Sequence, residues 1–233
     1  MIKVAVIGAS GAIGNEFVTQ YANMDNIAEV YAFSRNLINH ESPKVKAYKV
    51  DYFDENQWLD ILPDMPKFDI IILASGILHD EGIMPEKSIK EVSELKMMHI
   101  LKVNTVLPAI IMKHFLPKLS DNGRFGILSA RIGSISDNHL GGWYSYRASK
   151  AALNMLIKTA SIELKRKKVE SIIIGLHPGT VNTKLSKPFH ANIPEKQIFT
   201  PEFSVNQMVK VILDITPESS GKFFAYDGLE VQP

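Results

Sequence analysis

The chain of 233 residues contains no cysteine. That excludes a disulfide framework, a thiol nucleophile and thiolate zinc sites, and it fits a reducing compartment. An excess of charge of one sign is lacking as well: 26 Lys and Arg stand against 25 Asp and Glu, a net charge of +1. Phosphate-backbone binders concentrate positive charge on one face, whereas the only dense basic run here, Lys165 to Lys168, reads as a solvated helix end. No nucleic-acid partner is expected. No run approaches the roughly 18 consecutive apolar residues of a membrane span. Met1 to Gly8 lacks the basic region, longer apolar region and cleavage site of a signal peptide, so the expectation is a cytoplasmic protein with no membrane partner. The 7 histidines show no paired ligand spacing, which argues against a metal site. Gly126-Ile127-Leu128-Ser129 is not the elbow of a serine hydrolase.

What is present is an ordinary globular composition, 45% hydrophobic and 22% charged, of a length that suits one domain over residues 1–233. Apolar runs rich in β-branched residues occur at 4–7, 29–33, 45–50, 70–73, 125–129, 172–176 and 223–226. They are continuously apolar, as strands covered on both faces should be, and helical patterns separate most of them. This predicts an α/β fold, a doubly wound and mostly parallel seven-stranded sheet flanked by helices, with ligands beyond the C-terminal strand ends. The longest helix is expected from about Tyr144 to Lys167, and a second from about Lys102 to Leu119 should be disturbed at Pro108. The irregular stretch 183–203, with Pro188, Pro194 and Pro201, reads as a substrate flap whose Leu185, Phe189, Ile193 and Phe199 line an apolar pocket.

The first strand runs into Gly8-Ala9-Ser10-Gly11-Ala12-Ile13-Gly14, followed by the helical pattern of 15–22. Strand, glycine turn and helix begin a dinucleotide site, because small residues let the backbone approach a pyrophosphate and the helix start offers free amides. After the second strand stands Ser34-Arg35-Asn36, where an NAD site usually carries an acid. Arg35 suits a ribose 2′-phosphate, so NADP(H) is expected in preference to NAD(H).

Tyr146 and Lys150 stand four residues apart on one face of the longest helix. An ordinary tyrosine titrates near pH ~10, and a neighbouring ammonium should draw it towards phenolate. Pro108 cannot return a helical hydrogen bond to the Asn104 carbonyl, which leaves an acceptor free inside the second helix.

In this order the motifs resemble the short-chain dehydrogenase/reductase family over nearly the whole chain. They are Gly8 to Gly14, Asp51, Ala74-Ser75-Gly76, Asn104, Tyr146 to Lys150 and His177-Pro178-Gly179-Thr180-Val181. The stretch 128–136, with Gly141 to Tyr144, is similar to the C-factor and carbonyl-reductase branch. The resemblance implies a single Rossmann domain and an enzyme moving hydride between NAD(P)(H) and a small carbonyl or alcohol, with a homo-oligomer possible. Tyr146 would then be the proton donor, Lys150 would hold the nicotinamide ribose and lower the tyrosine pKa, and Asn104 would organise a water. Asp51 and Tyr52 would meet the adenine, and Pro178, Gly179, Val181 and Thr183 the nicotinamide end. The sequence departs from the family at Ala12, where glycine is usual, at Leu73-Ala74, where an asparagine commonly precedes the motif, and at Ala130, where the reactive serine belongs. Ser134 is the expected substitute, with Ser129 behind it. A dinucleotide-binding sensor or signalling protein with little turnover, and a relative acting through association, stay open beside the enzyme.

Overall fold

The apolar runs do form strands, and the reason for their unbroken hydrophobicity is visible in β1 (Ile2–Ile7). Its Ala5 and Ile7 face one layer of helices, while Val4 and Val6 face the other. The computed structural model describes residues 1–233, the Asn192 side chain excepted. After β1 come α1 (Ala12–Ala22), β2 (Ile27–Ser34), β3 (Val45–Lys49), α2 (Glu55–Ile61) and β4 (Phe68–Leu73). The second half holds α3 (Glu94–Leu101), α4 (Leu107–Phe115), β5 (Leu119–Leu128), α5 (Tyr144–Arg166) and β6 (Ile172–His177). The short β7 (Thr180–Val181) and β8 (Ile198–Phe199) pair with each other, and α6 (Pro201–Asp214) and β9 (Phe223–Ala225) close the chain.

Seven strands form one sheet in the order β3-β2-β1-β4-β5-β6-β9. Every pairing in it is parallel, so the sheet is wholly rather than mostly parallel. Strand order reverses between β1 and β4, and a crevice must open there beyond the strand ends. One core layer packs Phe33, Trp58, Phe115, Leu153 and Ile157 between the sheet and α2, α4 and α5. The other packs Phe17, Tyr21, Val205, Met208 and Ile212 from α1 and α6.

Three helices lie outside the sequence expectation: α2, α3 and α6. Asp54 and Ser93 accept backbone N–H groups at the starts of α2 and α3, and Thr200 does so at α6, which therefore absorbs the last residues of the expected flap. The helix expected from Lys102 instead begins at Glu94 and is not broken at Pro108. Pro108 sits in the first turn of α4, and the irregularity lies just before it, in a π-turn at Lys102–Val106 where Leu107 N–H reaches the Lys102 carbonyl. The helical run 94–118 is long and apolar enough, by length and composition, to cross a membrane. Here its Ile111 and Phe115 are in the core against the sheet.

Candidate active site

At the crevice, the glycine turn is held by contacts that leave no room for side chains. Gly8 has φ +95°, and a Cβ there would lie 2.8 Å from the Ala74 carbonyl; a Cβ on Gly14 would lie 2.1 Å from the Gly8 oxygen. Gly14 thus brings α1 against β1, while Ser10, Gly11, Ala12 and Ile13 form the crevice rim. The first turn of α1 has no side-chain cap, since Gly11 is the N-cap, so its amides remain available to an anion. Tyr52 braces the turn from below: its hydroxyl donates to the Phe33 carbonyl at 3.0 Å and accepts from Gly8 N–H at 3.1 Å. Burial pushes the Tyr52 phenol up to about 12, so it keeps that proton.

A cavity of about 1010 Å³ opens over the ends of β2 and β3. Arg35, exposed at its edge, lines it with Asp51, Ala74, Ser75 and Gly76. The Ser34 hydroxyl is not available to a ligand, being buried and donating to the Asn36 carbonyl at 2.6 Å. A second cavity of about 560 Å³ continues from the glycine turn to Tyr146, Lys150, Pro178 and Thr183. The buried Ser75 Oγ, on the wall shared by both, has no partner.

Asn104 is fully buried in the π-turn. Its carboxamide accepts from Ile77 N–H at 2.8 Å, donates to the Ile77 carbonyl at 2.7 Å, and donates to Ser149 Oγ at 3.1 Å. It ties the loop after β4 to α5, next to the two residues of interest there. Tyr146 and Lys150 are both buried, and Lys150 Nζ lies 5.9 Å from the tyrosine ring centre and donates to the Leu128 carbonyl at 3.1 Å. The expected pull towards phenolate does not show: burial alone acts on the phenol here. Burial holds the Tyr146 phenol well above its usual range and brings the Lys150 ammonium down to about 8. Tyr146 therefore holds its proton at neutral pH.

The start of α5 is set by a carboxylate that sequence reading missed. Trp143 has φ 54° after Gly141 and Gly142, both at φ 66°, and its side chain provides no cap. Buried Glu86, from the loop after β4, accepts from the N–H and the hydroxyl of Ser145 instead. Nothing local in the sequence marks Glu86, whose partner is 59 residues away.

Tyr146 also borders a third cavity of about 440 Å³ with apolar walls. Leu78, Leu140, Trp143, Leu185, Phe189 and Ile193 line it, the rings of Trp143 and Phe189 being 4.9 Å apart. Pro178 and Thr183 line both this cavity and the second one, whereas Gly179 and Val181 line this one. Phe199, expected here, packs on Phe203 and Tyr226 instead, at 4.9 and 4.7 Å between ring centres. Ser134 is not among the residues lining the cavity: it is buried, and its Oγ accepts from Asp137 N–H at 3.1 Å. Ser129 and Ala130 do line it, with the Ser129 hydroxyl given to Asn154 Oδ1 at 2.7 Å.

The family model for short chain dehydrogenases matches residues 3–194, most of the chain. The chain belongs to that family. It is an NAD(P)-dependent oxidoreductase of the short-chain dehydrogenase/reductase type. This dehydrogenase is 34% identical over 161 residues to 1-hydroxy-2-glutathionyl-2-methyl-3-butene dehydrogenase of Rhodococcus sp. (strain AD45), covering 69% of each chain. It is 36% identical over 143 residues to C-signal of Myxococcus xanthus, covering 60% of this chain and 81% of that one. Carbonyl reductase Sniffer of Drosophila melanogaster has the same fold, with TM-score 0.85 and 21% identity over the whole of both chains. A carbonyl reductase from chicken fatty liver matches with TM-score 0.84 and 24% identity, over 100% of this chain and 99% of that one. The dehydrogenase's own residues fit a dinucleotide: two cavities joined across uncapped helix amides, with an orphaned Ser75 hydroxyl at the junction.

Proposed function

We propose that the protein reduces a small, largely apolar carbonyl compound, with NADPH preferred over NADH. The observation that carries the reading is Tyr146, a buried phenol that keeps its proton and stands where the nicotinamide-end cavity meets the apolar one. The cofactor, when bound, supplies hydride. Tyr146 gives its proton from Oη to the carbonyl oxygen, and as charge builds on that oxygen a preorganised donor counts for most. Lys150, on the same side of α5, presents an ammonium to ribose hydroxyls and to the phenolate that proton loss leaves. Asn104 keeps the loop after β4 at the right height on α5. Arg35 offers a guanidinium to a 2′-phosphate. Leu185, Phe189 and Ile193 belong to a flap over the apolar cavity that keeps water from the reacting carbon. The carbonyl reductases of the same fold, one of them described as NADPH bound, support this choice.

A dinucleotide-binding signalling protein with little turnover is the second reading. Ala130 favours it, as does the similarity to C-signal of Myxococcus xanthus. The experiment that separates them follows NADPH and NADH oxidation with benzaldehyde, acetophenone and menadione, beside thermal shifts with each dinucleotide. Carbonyl-dependent NADPH oxidation is the expected result. Stabilisation by NADPH without turnover on any of the panel would transfer the conclusion to the second reading.

A further inference from the structure

The cavity of about 560 Å³ between the glycine turn and Lys150 is set apart by its charge. Among the described residues that line it none is acidic, and the charged side chains are Lys150 and Lys184. The neighbouring cavities hold carboxylates, Asp137 in the apolar one and Asp51 and Asp80 in the largest. Gly11, Ala12 and Asn15, from the uncapped start of α1, line the same space, and the first turn of that helix carries no acid. The space is therefore arranged for an anion. Lys150 already has a place in the mechanism above. Lys184 has none: it is exposed on the flap and forms no ion pair among the described residues.

The backbone of Lys184 is held by the loop after β4. Nε2 of His79, in that loop, stands 3.1 Å from the Leu185 carbonyl and 3.3 Å from the Lys184 carbonyl. A carbonyl oxygen can only accept, so Nε2 carries the ring proton and shares it between the two. The His79 ring centre lies 5.9 Å from that of Phe189, further along the flap. Ala74, Ser75 and Gly76, which precede His79 in the same loop, also line the cavity. The shared hydrogen bond thus joins two of its walls, the β4 loop and the flap. Asp80 is tied in turn to His99 of α3 at 3.0 Å, which steadies the loop end of this clasp.

We propose that Lys184 is a binding residue for the pyrophosphate of the dinucleotide, and that His79 is the positioning residue that clasps the flap, and with it Lys184, to the β4 loop. The pyrophosphate is common to NADPH and NADH, so Lys184 adds affinity for both, whereas Arg35 distinguishes them. An ammonium suits the task because it meets phosphate oxygens as a point charge, with no fixed orientation. This rests on the dinucleotide dependence of the family and needs no carbonyl substrate, so it and the reductase reading fail separately.

Calorimetric titration with NADPH, NADH and adenosine 2′-monophosphate, which lacks the pyrophosphate, tests the lysine. Lys184→Met should weaken both dinucleotides by about tenfold while leaving their ratio and the binding of the monophosphate unchanged. Because the side chain is exposed, the Tm of the ligand-free protein should stay the same, and Lys184→Arg should keep most of the affinity. Unchanged affinity for both dinucleotides in Lys184→Met would overturn the proposal, as would a loss confined to NADPH, which would give the lysine to the 2′-phosphate. Stopped-flow displacement of NADPH by excess NADP⁺ tests the clasp. His79→Phe, which keeps a ring beside Phe189 but has no N–H, should release NADPH several times faster. His79→Gln, able to place an amide N–H near the Nε2 position, should stay closer to the unsubstituted rate. An unaltered release rate in His79→Phe, or equal acceleration in the Phe and Gln variants, would overturn the role given to His79.

Discussion

Burial acts oppositely on Tyr146 and Lys150, raising the proton affinity of the phenol and lowering that of the ammonium. The motif was legible in the sequence because its partners are four residues apart, but its protonation was not, because burial is set by residues far along the chain. Arg35 was equally legible, from the missing acid after the second strand, and the structure puts it at the cavity edge. Replacing it with alanine should weaken NADPH binding by about tenfold or more, since a charge-assisted contact is worth roughly 1.5–3 kcal/mol, with NADH binding little changed. Titration of both dinucleotides checks this, and an unaltered ratio would remove Arg35 from the site. Ser134 was read from its distance in sequence to Tyr146, yet a serine near a turn readily gives its oxygen to a backbone amide, here that of Asp137.

At the scale of elements, the strands and the turn into α1 could be read because each is a local pattern: an unbroken apolar run, then small residues, then helical spacing. Helices α2 and α3 are short, and their register is decided by Asp54 and Ser93 caps within mixed sequence, so they gave no clear period. The start of α5 was beyond sequence reading for a different reason: its cap is borrowed from Glu86 across the fold. Glu86→Ala should leave the Ser145 N–H and hydroxyl buried without partners, costing roughly 1–3 kcal/mol and lowering Tm by several degrees. Because Tyr146 follows Ser145 directly, kcat should fall more than KM rises. Thermal melting with steady-state kinetics checks both, and a variant with unchanged Tm would show that the carboxylate does not hold the helix.

At the scale of the whole molecule, buried titratable groups link stability to pH. His177 titrates at about 4 in the fold against an ordinary 6.5, so the unfolded chain binds the extra proton between those values. Stability is therefore full above about pH 6.5 and declines as pH falls through the folded value. Denaturant melts from pH 7 to pH 4 should show a shallower decline for His177→Gln than for the unsubstituted chain, and parallel curves would mean that the imidazole is not held neutral. The doubly wound sheet that buries these groups also places Tyr146 where the crevice beyond the strand ends meets an apolar cavity. The claim that this phenol is the acid of a carbonyl reduction is tested most directly by Tyr146→Phe, measured as NADPH-dependent reduction of benzaldehyde alongside NADPH binding. A fall in kcat of roughly a hundredfold or more, with the dissociation constant for NADPH and the melting temperature unchanged, is the predicted result. A phenylalanine variant that turns over at a near-normal rate would contradict it.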